Sequence, residues 1–149
     1  MRVSSQYTLA VHSLVMIEFL KEERVTSEII ANAAGCNPVI VRNVFSKLRV
    51  AGLLDTSPGR GKAELSRPAD EITLADVYIA TETDDVDEIF KMYSGNTECP
   101  MGRCMHELLN PSLTEAKDAM LDSLKRTTIA DLVAKVPGLT CDASKKDDC

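Results

Sequence analysis

The stretch Ala34-Gly35-Cys36-Asn37-Pro38-Val39-Ile40-Val41-Arg42-Asn43-Val44-Phe45-Ser46-Lys47-Leu48-Arg49 constrains this chain more than any other. It opens with a glycine that suits the end of one helix. Asn37 and Pro38 then start another, because Asn is a good N-cap and Pro loses nothing at the first helical position. Val41, Val44, Phe45 and Leu48 recur at i, i+3, i+4 and i+7, so they must face a core. That turns Val39, Arg42, Asn43, Ser46 and Arg49 outward, with Lys47 at the edge of the face.

The flanking sequence places this helix in a motif. Residues 4–21 read as a first helix, and its second half, Leu14 to Leu20, is apolar on nearly every side except Glu18. Such a helix is buried in a core or against a partner. Glu22 to Arg24 form a loop, and Thr26 or Ser27 caps a short helix running to Ala34. The outward-facing helix ends at Ala51-Gly52. Leu53–Ser57 and Lys62–Ser66 read as two strands joined by the turn Pro58-Gly59-Arg60-Gly61. Helix, glycine turn, helix and two-stranded ribbon together spell a winged helix-turn-helix in a mainly α chain.

Thr73-Leu74-Ala75-Asp76 is a capping box opening a helix to about Thr81. An acidic segment follows, Glu82 to Glu88, whose paired acids Asp84 and Asp85 read as solvated surface. After the loop Ser94–Thr97, Cys99-Pro100 starts a helix that Pro111 interrupts or kinks. Ser112 to Glu115 resembles a fresh capping box, so a helix runs on to about Arg126. Thr128 to Asp131 opens a last one. Three units follow: residues 1–80 as the winged helix-turn-helix, 81–136 as a sensor loop with dimerisation helices, and 137–149 as a tail too polar to fold.

The outward face has the chemistry of a base reader. Arg and Asn suit bidentate contacts to guanine and adenine edges, and Ser reaches bases or phosphates. Arg60 and Lys62 at the wing tip suit a minor groove or a phosphate track. The whole chain carries a formal charge of −6, yet residues 37–68 hold six Lys and Arg against Asp55 and Glu64. That segment is thus +4 and the remainder −10, so the acidic total hides a basic face. A polar outward face also occurs on helices that are merely solvated, and an adaptor that keeps a winged helix without using it on DNA fits the same pattern.

Composition narrows the alternatives. There is no Trp and there are only three Tyr and three Phe, which argues against a stacking platform for single strands. No apolar run approaches the roughly 18 residues of a membrane span, and no secretory signal is visible, so a cytoplasmic protein is expected. There the five Cys are expected to rest as thiols. No phosphate loop and no nucleophile with a convincing His partner is present, so an enzyme is not expected.

The ordered set of motifs resembles the Rrf-two family of bacterial winged-helix transcription regulators, which includes an iron–sulfur cluster regulator, a nitric-oxide-sensitive repressor and a cysteine-metabolism repressor. The resemblance rests on Ser5–His12, Thr26–Ala31, Asn37–Arg42, Leu48–Leu53, Leu65–Ala69, Ile72–Val77, Cys99–Arg103 and Thr128–Leu132. It implies a homodimer whose long C-terminal helices cross, with two recognition helices reading a palindromic operator in double-stranded DNA. The implied DNA-binding set is Ser27, Pro38, Val39, Arg42, Asn43, Ser46, Lys47, Arg49, Arg60 and Lys62. Leu113, Ala116, Met120 and Leu124 give the later helix an apolar stripe for dimerisation, although such a stripe also fits packing within one subunit. The wing departs from the family: in place of a glycine run it has Gly59 to Glu64, and Glu64 would repel a phosphate.

Cluster-binding members carry three cysteines in the segment starting at Cys99, whereas this chain has Cys99 and Cys104, then His106. On one helix Cys104 and His106 stand about 200° apart. A four-ligand iron–sulfur site therefore needs help from elsewhere, such as His12 or a second subunit, and no cofactor or metal is expected. His106 reads as a solvated surface residue and His12 as an ordinary helix histidine. Thiol chemistry needs less. Cys99 at a helix N-terminus near Arg103 favours the thiolate. Cys36, just before the outward-facing helix, is either a second redox-sensing position or a small core residue. Cys104 cannot easily pair with Cys99 across about 7.5 Å of intact helix. The reading is a repressor with a thiol switch at Cys99, Cys36 or Cys104; a cluster or small ligand as the switch is the alternative.

Overall fold

A computed structural model describes residues 4–56, 62–82, 85–96 and 98–138. The elements run in the order α1 (Ser5–Phe19), α2 (Ser27–Ala34), α3 (Pro38–Val50), β1 (Leu54–Asp55), β2 (Glu64–Leu65), a 3-10 turn (Ala69–Glu71), α4 (Leu74–Thr81), α5 (Val86–Ile89), α6 (Pro100–Leu124) and α7 (Ile129–Lys135).

Local chemistry starts the helices. Ser4, Thr26 and Asn37 accept from the backbone amides of Gln6, Ile29 and Val39. Gly35 and Gly52 end α2 and α3 at φ +64° and +71°, a backbone that a side chain would strain. α1 buries Ala10, Ser13, Leu14 and Ile17, and the Ser13 hydroxyl satisfies itself by donating to the Leu9 carbonyl at 2.7 Å. Phe19 stays 46% exposed, so the apolar second half of α1 is only partly covered by this chain.

One core joins these pieces. Leu14, Ile30, Leu48, Leu53, Leu54, Ile72 and Ile129 are its largest fully buried side chains. The wing strands pair antiparallel, Leu54 with Leu65 and Asp55 with Glu64. Among the described residues they are shorter than the sequence suggests, as a lone two-stranded ribbon with one apolar pair is only marginally stable. The turn Pro58–Gly61, with Arg60, lies outside the described residues, as do residues 139–149.

α4 and α7 both begin with capping boxes, Thr73 with Asp76 and Thr128 with Asp131. The chain entering α7 is stitched to the chain entering α4: Leu74 N–H donates to the Thr127 carbonyl at 2.9 Å and Ile129 N–H to the Ile72 carbonyl at 2.8 Å. Asp76 accepts from the Thr73 amide at 2.8 Å and its hydroxyl at 2.7 Å, and pairs with Arg67 at 3.4 Å. Asp76→Ala is expected to cost about 1–2 kcal/mol, read as a lower urea midpoint with unchanged slope.

The acidic segment includes a short helix: Asp85 caps α5 by accepting from the Asp87 amide, and Ile89 is buried. One expectation is corrected, the interruption at Pro111. α6 is one helix of 25 residues that runs through Pro111. The missing proline N–H leaves the Glu107 carbonyl without its helical donor, and water can supply one because residues 107–112 are exposed. No residue of α6 is buried.

Candidate nucleic-acid interface

α3 is clamped on one side and free on the other. Val41, Val44 and Leu48 are buried and Phe45 packs against the same core. Val39, Arg42, Asn43, Ser46 and Arg49 are exposed. Ser27 and Pro38 are half-buried at the starts of α2 and α3. The periodicity of the sequence thus translates directly into a presented face.

The charged members of that face are already engaged. Arg42 Nη2 lies 2.5 Å from Glu28 Oε1 in an ion pair whose partners are both more than half exposed. The Arg42 guanidinium first, then Glu28's own amide and the hydroxyls of Ser27 and Thr26, hold the Glu28 carboxyl at about 2. Arg49 Nη1 donates to Thr56 Oγ1 at 3.0 Å, which ties the end of α3 to the wing.

Lys47, at the edge of the face, has partners on the elements behind α3. Its amine turns from the outward face to donate to Gln6 Oε1 at 2.6 Å and to the Thr81 carbonyl at 3.1 Å. Thr81 is the last residue of α4, and carbonyls there lack helical donors and attract cations. Lys47 therefore braces α3 against α1 and α4. Lys62 donates to the Lys21 carbonyl just beyond α1, and its amine also lies 3.6 Å from Glu64. That pair offsets the repulsion expected of Glu64.

The cysteine region has its own geometry. Cys99 is the exposed N-cap of α6, and the amides of Gly102 and Met101 lower its thiol pKa. A side chain at Gly95 would meet the Gly102 carbonyl oxygen at 2.2 Å, so this glycine lets the preceding loop lie on the first turn of α6. Cys104 is exposed, while Cys36 is half-buried against the core. His106 is not simply solvated. Its Nε2 is 2.7 Å from the Tyr93 carbonyl and its Nδ1 is 3.5 Å from Asp87 Oδ2, so it ties α5 and the loop to α6. Among the described residues no three His, Cys, Asp or Glu side chains gather to hold a metal.

Comparison with known proteins agrees with this architecture. The family model Rrf2, described as iron-dependent transcriptional regulator, matches residues 3–135. The chain is 30% identical over 132 residues to YwnA of Bacillus subtilis, described as an HTH-type transcriptional regulator, covering 88% of this chain and 96% of that one. A crystal structure of a protein described as DNA binding superposes with a TM-score of 0.69 at 27% identity, covering 86% of this chain and 98% of the other. The global cysteine regulator CymR of B. subtilis shares the fold at a TM-score of 0.63 and 20% identity, with 90% and 97% covered. YwnA and CymR are described as regulators, and this chain shares the fold of the two solved structures. The chain belongs to the Rrf2 family of transcriptional regulators.

Proposed function

We propose that the chain acts as a homodimeric, sequence-specific repressor on double-stranded DNA, with a thiol switch at the start of α6. The observation that carries the DNA reading is the free face of α3. Arg42, Asn43, Ser46 and Arg49 are exposed on a helix whose opposite side is fixed in the core. A helix of that width fits the major groove, and those side chains match base edges. Val39, Pro38 and Ser27 flank it, Arg60 and Lys62 belong to the wing, and Lys47 supports α3 from behind. Residues 1–80 act as the reader and 81–136 as sensor and dimer contact, with the remainder a tail. No helix among the described residues is long and apolar enough to cross a membrane, and the proposal places the protein in the cytoplasm with its DNA.

The switch is assigned to Cys99 because it is exposed, sits at a helix start and has a lowered thiol pKa. Oxidation by a peroxide or an added disulfide would give a sulfenic acid or a mixed disulfide there, with Cys36 or Cys104 as partners to test. A gel-shift titration on the promoter upstream of its own gene, first reduced and then mildly oxidised, tests the repressor and the switch together. Tight binding is expected only in the reduced state, and Cys99→Ser is expected to hold DNA after oxidation. A Cys99→Ser protein that still releases DNA removes Cys99 as the switch. Equal wild-type binding in both states removes the redox signal and keeps the repressor. Bound iron and colour after anaerobic purification would replace the thiol with a cluster.

A further inference from the structure

We infer that Glu28, on the helix before the recognition helix, is a specificity-determining residue: it fixes the Arg42 guanidinium for base reading and suppresses sequence-independent binding to DNA. The inference rests on the DNA-binding reading of α3. Glu28 lies in the first turn of α2 and was no part of the periodic face that marks the reader. Its Oε1 lies 2.5 Å from Arg42 Nη2, a contact from the first turn of α2 to the exposed face of α3. Because α2 packs on α3, this ion pair restricts the directions in which the guanidinium plane points. A guanidinium has five donors in a rigid fork, so engaging one edge leaves others pointing outward.

Binding to any DNA and binding to one sequence respond differently to this arrangement. Sequence-independent affinity comes from net positive charge near phosphates. Glu28 cancels the charge of Arg42 and adds its own repulsion. Sequence preference comes from donors in fixed positions against a base edge, and two parallel N–H groups on guanine are the strongest case. Glu28 leaves those donors in place and orients them. The same pair therefore weakens attraction to the backbone while keeping recognition of the base. This separation of effects is what a carboxylate beside a reading arginine can do.

Glu28→Gln tests the inference, since it keeps the side chain's size and removes its charge. The reduced protein is titrated with two duplexes of equal length: an inverted repeat enriched by the wild-type protein from a random pool, and a scrambled copy of it. Affinity of the variant for the scrambled duplex is expected to rise about five- to tenfold, and the salt dependence of that binding to steepen by roughly one unit. Affinity for the inverted repeat is expected to change less, so the ratio between the two falls. In an Arg42→Ala background the same Glu28→Gln change is expected to leave the ratio unaltered, because no guanidinium remains to be oriented. A ratio that Glu28→Gln leaves unchanged in the wild-type background overturns the inference and spares the DNA reading. Loss of affinity for both duplexes by one factor also overturns it, as a purely structural role would. A wild-type protein that enriches no sequence overturns the DNA reading itself, and the inference with it.

Discussion

Met120→Glu or Leu124→Glu is expected to lower affinity for a two-half-site operator by about a hundredfold or more, as dimers fall to monomers. The reason lies in α6. It is 25 residues long, about 37 Å, and buries no residue against its own chain. A helix of that length gains its stability from an amphipathic face packed on something. Leu113, Met120 and Leu124 are half-buried, Ala116 is exposed, and together they form one stripe at helical spacing. Leu109, one turn before Leu113 on the same face, is 38% exposed and extends the stripe toward the start of α6. A second copy laid on this stripe would cover it and hold two α3 helices at a fixed separation. A glutamate in the seam leaves a charge without a partner, and each α3 then binds its half-site alone. Sedimentation at micromolar protein reads the dissociation directly. A variant that remains dimeric and keeps its operator affinity would remove the stripe from the dimer contact.

Arg42→Ala is expected to cost about 1–3 kcal/mol of operator affinity and to abolish preference at one base position in each half-site. Arg42 is the arginine at the centre of the exposed face, and its loss also strands the Glu28 carboxylate near the DNA. Titration against a panel of single-base operator variants separates lost reading from lost charge. Lys47→Ala should differ in kind. It removes a brace to Gln6 and Thr81, so it is expected to lower stability and leave the base preference intact. If Arg42→Ala kept full preference at every position, the base contact would have to be assigned elsewhere on α3.

Much of the fold is legible because helix starts are local. Ser4, Thr26, Asn37, Thr73 and Thr128 each cap within three residues of themselves, so a short window of sequence contains the whole interaction. The reading face of α3 is legible for the same reason, since its period is a property of one helix. What the sequence hides is what other elements supply. Glu28 meets Arg42 across 14 residues, and Lys47 meets Gln6 across 41. Neither pairing leaves a periodic trace. His106 looks solvated until the loop carrying Tyr93 folds back on it. Pro111 reads as an interruption or a kink, and the helix runs on through it where water can take up the freed carbonyl. α5 hides in an acidic run because only one of its residues, Ile89, is buried.

Selection from a random duplex pool by the reduced wild-type protein decides whether α3 reads sequence. The expected result is enrichment of an inverted repeat, its two halves related as the two α3 helices of a homodimer would be, with a guanine in each half whose replacement matters only while Arg42 is present. A pool that stays as random as it began, under salt low enough for basic proteins to bind, would contradict it.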